Sequence, residues 1–131
     1  GSAGEGRIAS AARADYAAAA AAVLTRPAPP SAAASTVLEL AGDGGYTLAE
    51  LAGELSRRSG RSVPYVNLPQ ADFAAALKGG GLPGPLAELL ADSDAGAAQG
   101  GLFDDGRQLS ALIGRPTEPM AEGLARVLAA G

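Results

Sequence analysis

Apolar positions along this chain recur mostly at helical spacing, and glycine and proline punctuate the intervals between them. A first helix is expected after Ser10. Asp15 can cap or charge its first turn, and Tyr16–Leu24 is almost all alanine, the best helix former, ending on Val23 and Leu24. Arg26–Ser35 carries three prolines, which end that helix and make a stiff linker. Thr36–Ala41 reads as a strand stopped by Gly42-Asp43-Gly44-Gly45. Thr47-Leu48-Ala49-Glu50 has the form of a capping box. Leu48, Leu51, Ala52 and Leu55 then share one helical face, Arg57 and Arg58 suit the negative end of the helix dipole, and Gly60 is the stop.

Ser62–Asn67 reads as a second strand, placed at a sheet edge by Pro64. Pro69 opens a helix with Phe73, Ala76 and Leu77 on one face, ended by Lys78-Gly79-Gly80-Gly81. Pro85 starts another with Leu86, Leu89 and Leu90 inward, and Asp94–Gly101 reads as a small-residue loop. Asp104 or Asp105 is the expected cap of a short helix carrying Leu109, Leu112 and Ile113, stopped by Gly114 and Pro116. A last helix begins at Thr117 or Glu118, with Pro119 in its first turn and Met120, Leu124, Val127 and Leu128 along it. Two strands are too few for a self-sufficient sheet, so the pattern reads as part of an α/β protein whose main sheet lies elsewhere. The expected fold class is an α/β fragment: a mainly helical small lobe with two or so short strands.

Composition narrows this picture. The 131 residues make one domain, expected over 6–131 with the linker at 26–35. Residues 1–5, opening on Gly1-Ser2 without Met, read as a tag scar or disordered start. Alanine supplies about a quarter of the chain and aromatics only 4%. The core must be built from Leu, Val and Ala, which bury little area each, so modest stability is expected. The absence of Cys removes disulfides, thiolate nucleophiles and Cys-based metal sites, and the absence of His removes Ser-His catalysis. A net charge of −4 argues against nucleic acid as the partner. The longest apolar run, Ala17–Leu24, is too short to span a bilayer, and no signal peptide opens the chain, so a cytoplasmic location without a membrane partner is expected.

Gly79–Gly84 matches G-x-G-x-x-G letter for letter, but it follows a helix rather than a strand, and Pro83 and Pro85 remove donors where a pyrophosphate would need them. It is read as an inter-helix turn. Lys78 is the only lysine and no tyrosine stands four residues before it, so a Tyr-x-x-x-Lys proton donor is absent. Asp92 with Asp94, and Asp104 with Asp105, are read as caps or solvated charges rather than a catalytic pair. Arg13 with Asp15 and Tyr16 admits two accounts: a capped helix start with a solvated Arg and a packed Tyr, or the rim of a substrate pocket.

Five runs in register carry a resemblance. They are Gly6–Ala19, Leu38–Asp43, Tyr46–Leu51, Asp72–Lys78, and Gly101–Asp105 continued by Leu109–Thr117. Their order and spacing resemble the C-terminal half of NmrA-like atypical short-chain dehydrogenases, and among these the type 2 NAD(P)H:quinone oxidoreductases. The resemblance implies a two-part protein: an N-terminal Rossmann half holding NADPH, and a C-terminal half that adds a strand and closes over the quinone substrate. It implies substrate contacts at Arg13 and Tyr16, with Phe73 and Phe103 packing the lobe, and no catalytic or metal-binding residue here. No NADPH is expected on this chain alone, and catalysis by it alone is not expected. Self-association or pairing with a complementary Rossmann half is expected, because unpaired strand edges and one-sided helices invite association. The alternative is a non-catalytic interaction or regulatory module derived from an NmrA-like protein.

Overall fold

The computed structural model describes residues 1–27 and 36–130; most of the expected linker at 26–35 lies outside them. Among the described residues six helices follow one another: α1 (Arg13–Thr25), α2 (Leu48–Ser59), α3 (Gln70–Gly79), α4 (Gly84–Ala98), α5 (Gln108–Ile113) and α6 (Met120–Ala130). They pack in pairs, α3 on α4, α1 on α5 and α2 on α6.

Helix ends follow local chemistry closely. The Thr47 hydroxyl accepts from Glu50 N at 3.1 Å while the Glu50 carboxylate accepts from Thr47 N at 2.8 Å, so the capping box closes in both directions. Gly60 and Gly114 end α2 and α5 in the left-handed region, at φ 69° and 70°, where a Cβ would be strained. Thr47→Ala is expected to lower stability by about 1 kcal/mol, read as a shift of the urea midpoint, because Thr47 is buried and Glu50 N would lose its acceptor. An unchanged midpoint would mean that α2 is held by its packing on α6 alone.

Both expected strands are absent. Among the described residues the sole β pairing is an antiparallel bridge between Ile8 and Tyr46, whose amides and carbonyls exchange hydrogen bonds of 2.8 and 3.0 Å. A strand needs a neighbour to complete its ladder. In 36–41 the Glu39 amide donates instead to the Gln108 side chain, and just beyond it Gly42 N donates to Ala9 O. In 62–67 the Val63 amide goes to Ser56 Oγ, Pro64 has no donor, and Val66 O accepts from the chain's amino terminus. The fold class is therefore a helical lobe without the two short strands.

Further readings change with the structure. Asp94–Gly101 is not a loop, since α4 continues to Ala98. Its last turns are covered by the opening residues: Ser2 N donates to Asp94 Oδ2 at 2.8 Å, and a Cβ at Gly6 would lie 2.2 Å from Ala97 O. Residues 1–5, read as a tag scar or disordered start, dock there, with Ser2 and Ala3 buried. On α4, Leu86, Leu89 and Leu90 are not inward; Leu89 is 64% exposed, and Ala87, Ala91 and Ala97 are buried in their place. Small residues allow the backbones of α3 and α4 to approach closely, so the alanine stripe wins the interface. Finally, α1 has Ala12 at its N-cap with no side-chain cap, so of the two roles expected of Asp15 it takes the charge in the first turn and not the cap, and α5 has Arg107 at its N-cap at φ 53°. Asp104 accepts from Gly106 N instead of capping α5.

The resulting core is thin. Among the described residues, the buried apolar ones are six alanines and Leu109. The chain presents 8340 Å² to solvent, roughly a third more than a compact protein of this length would. The α4 leucines, Val37 and Val127 supply exposed apolar surface.

Candidate functional site

Around Ser10 the chain is pinned from two sides. Ala9 N donates to Leu102 O, and Gly42 N donates back to Ala9 O. Gly42 has to be glycine here, because a Cβ would stand 2.3 Å from Ser10 O. At Gly45 the neighbour is the ring of Phe103, which would lie 2.6 Å from an added Cβ and would have to swing aside. The glycine-rich turn after Ala41 thus lets the Ser10 segment, the Tyr46 segment and the Gly101–Phe103 segment converge.

Two clefts open where they meet. The larger, about 550 Å³, has Ile8, Ser10, Tyr16, Leu40, Leu102 and Phe103 on its walls, with Glu39 and Asp104 at its edge. The second, about 420 Å³, is lined by Ser10, Asp43, Tyr46, Thr117, Glu118 and Met120. Ser10 belongs to both, and its Oγ lies 2.7 Å from the Tyr46 hydroxyl.

The polar frame behind the clefts is long-range. Asp43 N donates to Thr117 Oγ1 at 2.8 Å, and Thr117 N donates to Asp43 Oδ2 at 3.0 Å. The Ser110 hydroxyl, reinforced by Thr117 and by the charge of Arg107, holds the Asp43 carboxyl below the ordinary carboxylate range. Asp15, only 1% exposed, pairs with Arg115 at 2.7 Å and accepts from Glu118 N at 2.8 Å. The Arg7 guanidinium bonds Gly45 O.

Of the four residues expected at the site, the fold brings Tyr16 and Phe103 to one cleft. Arg13 lies one turn before Tyr16 but is exposed and lines neither cleft; Phe73 is half-buried in α3, which packs on α4. Ser10 and Tyr46 were not singled out, and no local signal marks them: they lie 36 residues apart.

The Gly79–Gly84 run is not a dinucleotide loop. Gly79–Gly84 joins α3 to α4, with Pro83 at the N-cap of α4, so it neither follows a strand nor offers a ring of free amides. Arg57 and Arg58 both engage Glu54, which depresses the Glu54 carboxyl and leaves them a helix terminus rather than an anion site. Asp92 takes Gln70, Asp94 takes Ser2, and the described residues hold no acidic cluster suited to a metal. No helix among them is long and apolar enough to cross a membrane.

No protein-family model matches the chain. Quinone oxidoreductase 2 of Escherichia coli (strain K12) is 56% identical over 127 residues, which is 97% of this chain and 43% of that protein. The chain thus spans less than half the length of that relative. The crystal structures of the NADPH-dependent quinone oxidoreductase from E. coli superpose with TM-scores of 0.89 alone and 0.88 with NADPH, at 55% identity and over 98% of this chain; 45% and 44% of those chains are covered. Triphenylmethane reductase of Citrobacter sp. follows at 0.85 and 28% identity, with 97% of this chain and 42% of that chain covered. The chain corresponds to the C-terminal part of an NmrA-like protein. As an NmrA-like lobe, it presents its two clefts on the Ser10–Tyr46 side, away from the α3–α4 pair that carries Phe73.

Proposed function

We propose that this chain is the substrate-binding lobe of an NADPH-dependent quinone reductase. Its aromatic cleft receives a quinone, and the dinucleotide is held by a separate Rossmann half. The observation that carries this reading is the 550 Å³ cleft walled by Tyr16 and Phe103 in a chain 56% identical to a quinone oxidoreductase. The thin core and the exposed apolar residues support a lobe made to be covered. Arg13 and Phe73 act here at a distance: Arg13 at the exposed start of α1, Phe73 by packing the α3–α4 pair. In this reading the protein works in the cytoplasm and is inactive alone.

The test is turnover. The chain is mixed with NADPH and menadione, and the absorbance of reduced nicotinamide is followed. No oxidation above background is expected from the chain alone, and oxidation is expected once the N-terminal half of the E. coli relative is supplied. Size-exclusion chromatography should show the two eluting together. Silence in both mixtures would replace this reading with that of a non-catalytic interaction module, and oxidation by the chain alone would overturn its dependence on a second half.

A further inference from the structure

Ser10 and Tyr46 form a hydroxyl pair that no structural role fully uses. Each backbone is fixed independently: Ser10 by the contact of its carbonyl with Gly42, Tyr46 by the two-way bridge to Ile8 and the capping box that begins at Thr47. The two oxygens stand 2.7 Å apart at an exposed position, so one O–H donates to the other hydroxyl. The second O–H of the pair remains available to a ligand. A donor held on rigid backbone at the junction of two clefts suits an acceptor oxygen on a bound molecule.

The surroundings select the kind of acceptor. Glu39 and Asp104 border the larger cleft, and Asp43 and Glu118 border the second. The nearby cations are engaged: Arg126 bonds both oxygens of Glu118, Arg115 pairs with Asp15, and Arg7 bonds Gly45 O. Glu118 is neutralised by Arg126 and Asp43 stands near Arg107, so the repulsion of an anionic group, whether carboxylate or phosphate, comes from Glu39 and Asp104 on the larger cleft. A neutral carbonyl oxygen meets no such penalty. The rings of Tyr16 and Phe103 on the wall shared with Ser10 favour a flat apolar body attached to that carbonyl.

We propose that the Ser10–Tyr46 hydroxyl pair is a carbonyl clamp, donating one hydrogen bond to a carbonyl oxygen of a neutral quinone whose ring lies against Tyr16 and Phe103. This deepens the quinone reading and rests on it. Tyr46 and Ser10 act as one unit: either hydroxyl loses its geometry when the other is removed.

The test compares menadione with methylnaphthalene, which has the same fused rings and no carbonyl, by calorimetric titration of the full chain. Tyr46→Phe is expected to weaken menadione about tenfold, the value of one hydrogen bond, and to leave methylnaphthalene unchanged. Ser10→Ala should act in the same direction, and the double variant should be no weaker than the worse single one, as for coupled partners. Equal loss of both compounds would reassign the pair to a structural role. No loss of either, or no binding of menadione by the unmodified chain, would overturn the clamp as well. Failure of the clamp is separable from failure of the quinone reading. If turnover with the N-terminal half persists in Tyr46→Phe at unchanged KM, the clamp falls and the reading stands; if the unmodified pair shows no turnover, the reading falls.

Discussion

Leu109→Ala is expected to lower stability by about 3 kcal/mol and the thermal midpoint by roughly 10 °C. Leu109 is 0% exposed and is the largest apolar side chain fully buried among the described residues. It lies in α5, which has six residues and is too short to persist without tertiary support. That helix packs on α1, which is mainly alanine, so the neighbouring helix has little side chain with which to fill a void. A cavity left there should collapse poorly, which keeps the loss within the usual range for such a truncation rather than below it. Stability of a single domain is typically about 5–15 kcal/mol, and the alanine-based core places this lobe low in that span. Leu109→Met, close in volume, should lose less than about 1.5 kcal/mol. Circular dichroism on heating distinguishes the two. If Leu109→Ala moves the midpoint no further than Leu109→Met, the α1–α5 seam is not the core.

Asp15→Ala should be of similar size, about 3 kcal/mol. One carboxylate oxygen meets Arg115 at 2.7 Å and the other accepts from Glu118 N at 2.8 Å. Together they tie the first turn of α1 to the segment between α5 and α6. Alanine would leave the Glu118 amide without its acceptor in a part-buried setting, and the free energy lost is mainly that of the orphaned donor. Arg115 is 50% exposed and can be hydrated when its partner is removed, so Arg115→Ala should lose no more than about 1 kcal/mol. Asp15→Asn keeps an acceptor for Glu118 N and should fall between the two. Urea unfolding of the three variants gives the order. If Arg115→Ala matched Asp15→Ala, the ion pair rather than the backbone bond would be the main tie.

Asp15 also shows where reading from the sequence reaches its physical boundary. An aspartate near the start of an alanine-rich helix is a natural capping residue by every local criterion. Its real acceptor role depends on Glu118, 103 positions away. The α4 leucines make the same point about faces. Leu86, Leu89 and Leu90 have the spacing of a buried stripe, yet the alanines at 87 and 91 define another stripe of equal period. Periodicity states that a helix has sides and says nothing about which side meets a neighbour. The choice fell to alanine because α3 is also alanine-rich and the two backbones could close together.

Of the candidate site, the aromatic half was legible and the hydroxyl half was not. Tyr16 and Phe103 belong to runs whose order resembles a known family, and both reach the same cleft. Phe73 belongs to an equally good run but sits in α3 and lines neither cleft. Ser10 precedes a helix start and Tyr46 a capping box, and nothing local to either points across the 36 residues between them.

The amino-acid sequence alone determined where α2 begins, where α2 and α5 end, that α3 to α4 is a turn rather than a dinucleotide loop, and that no thiol or imidazole chemistry is available. Each of these rests on groups within a few bonds of one another, such as Thr47 with Glu50 or the left-handed Gly60 and Gly114. Tertiary structure decided the loss of both strands, the docking of residues 1–5 on α4, the inward alanine face and the meeting of Ser10 with Tyr46. Those outcomes turn on which distant backbone amide, carbonyl or side chain arrives as the partner, and a hydrogen bond or a packed face is specified by both of its members.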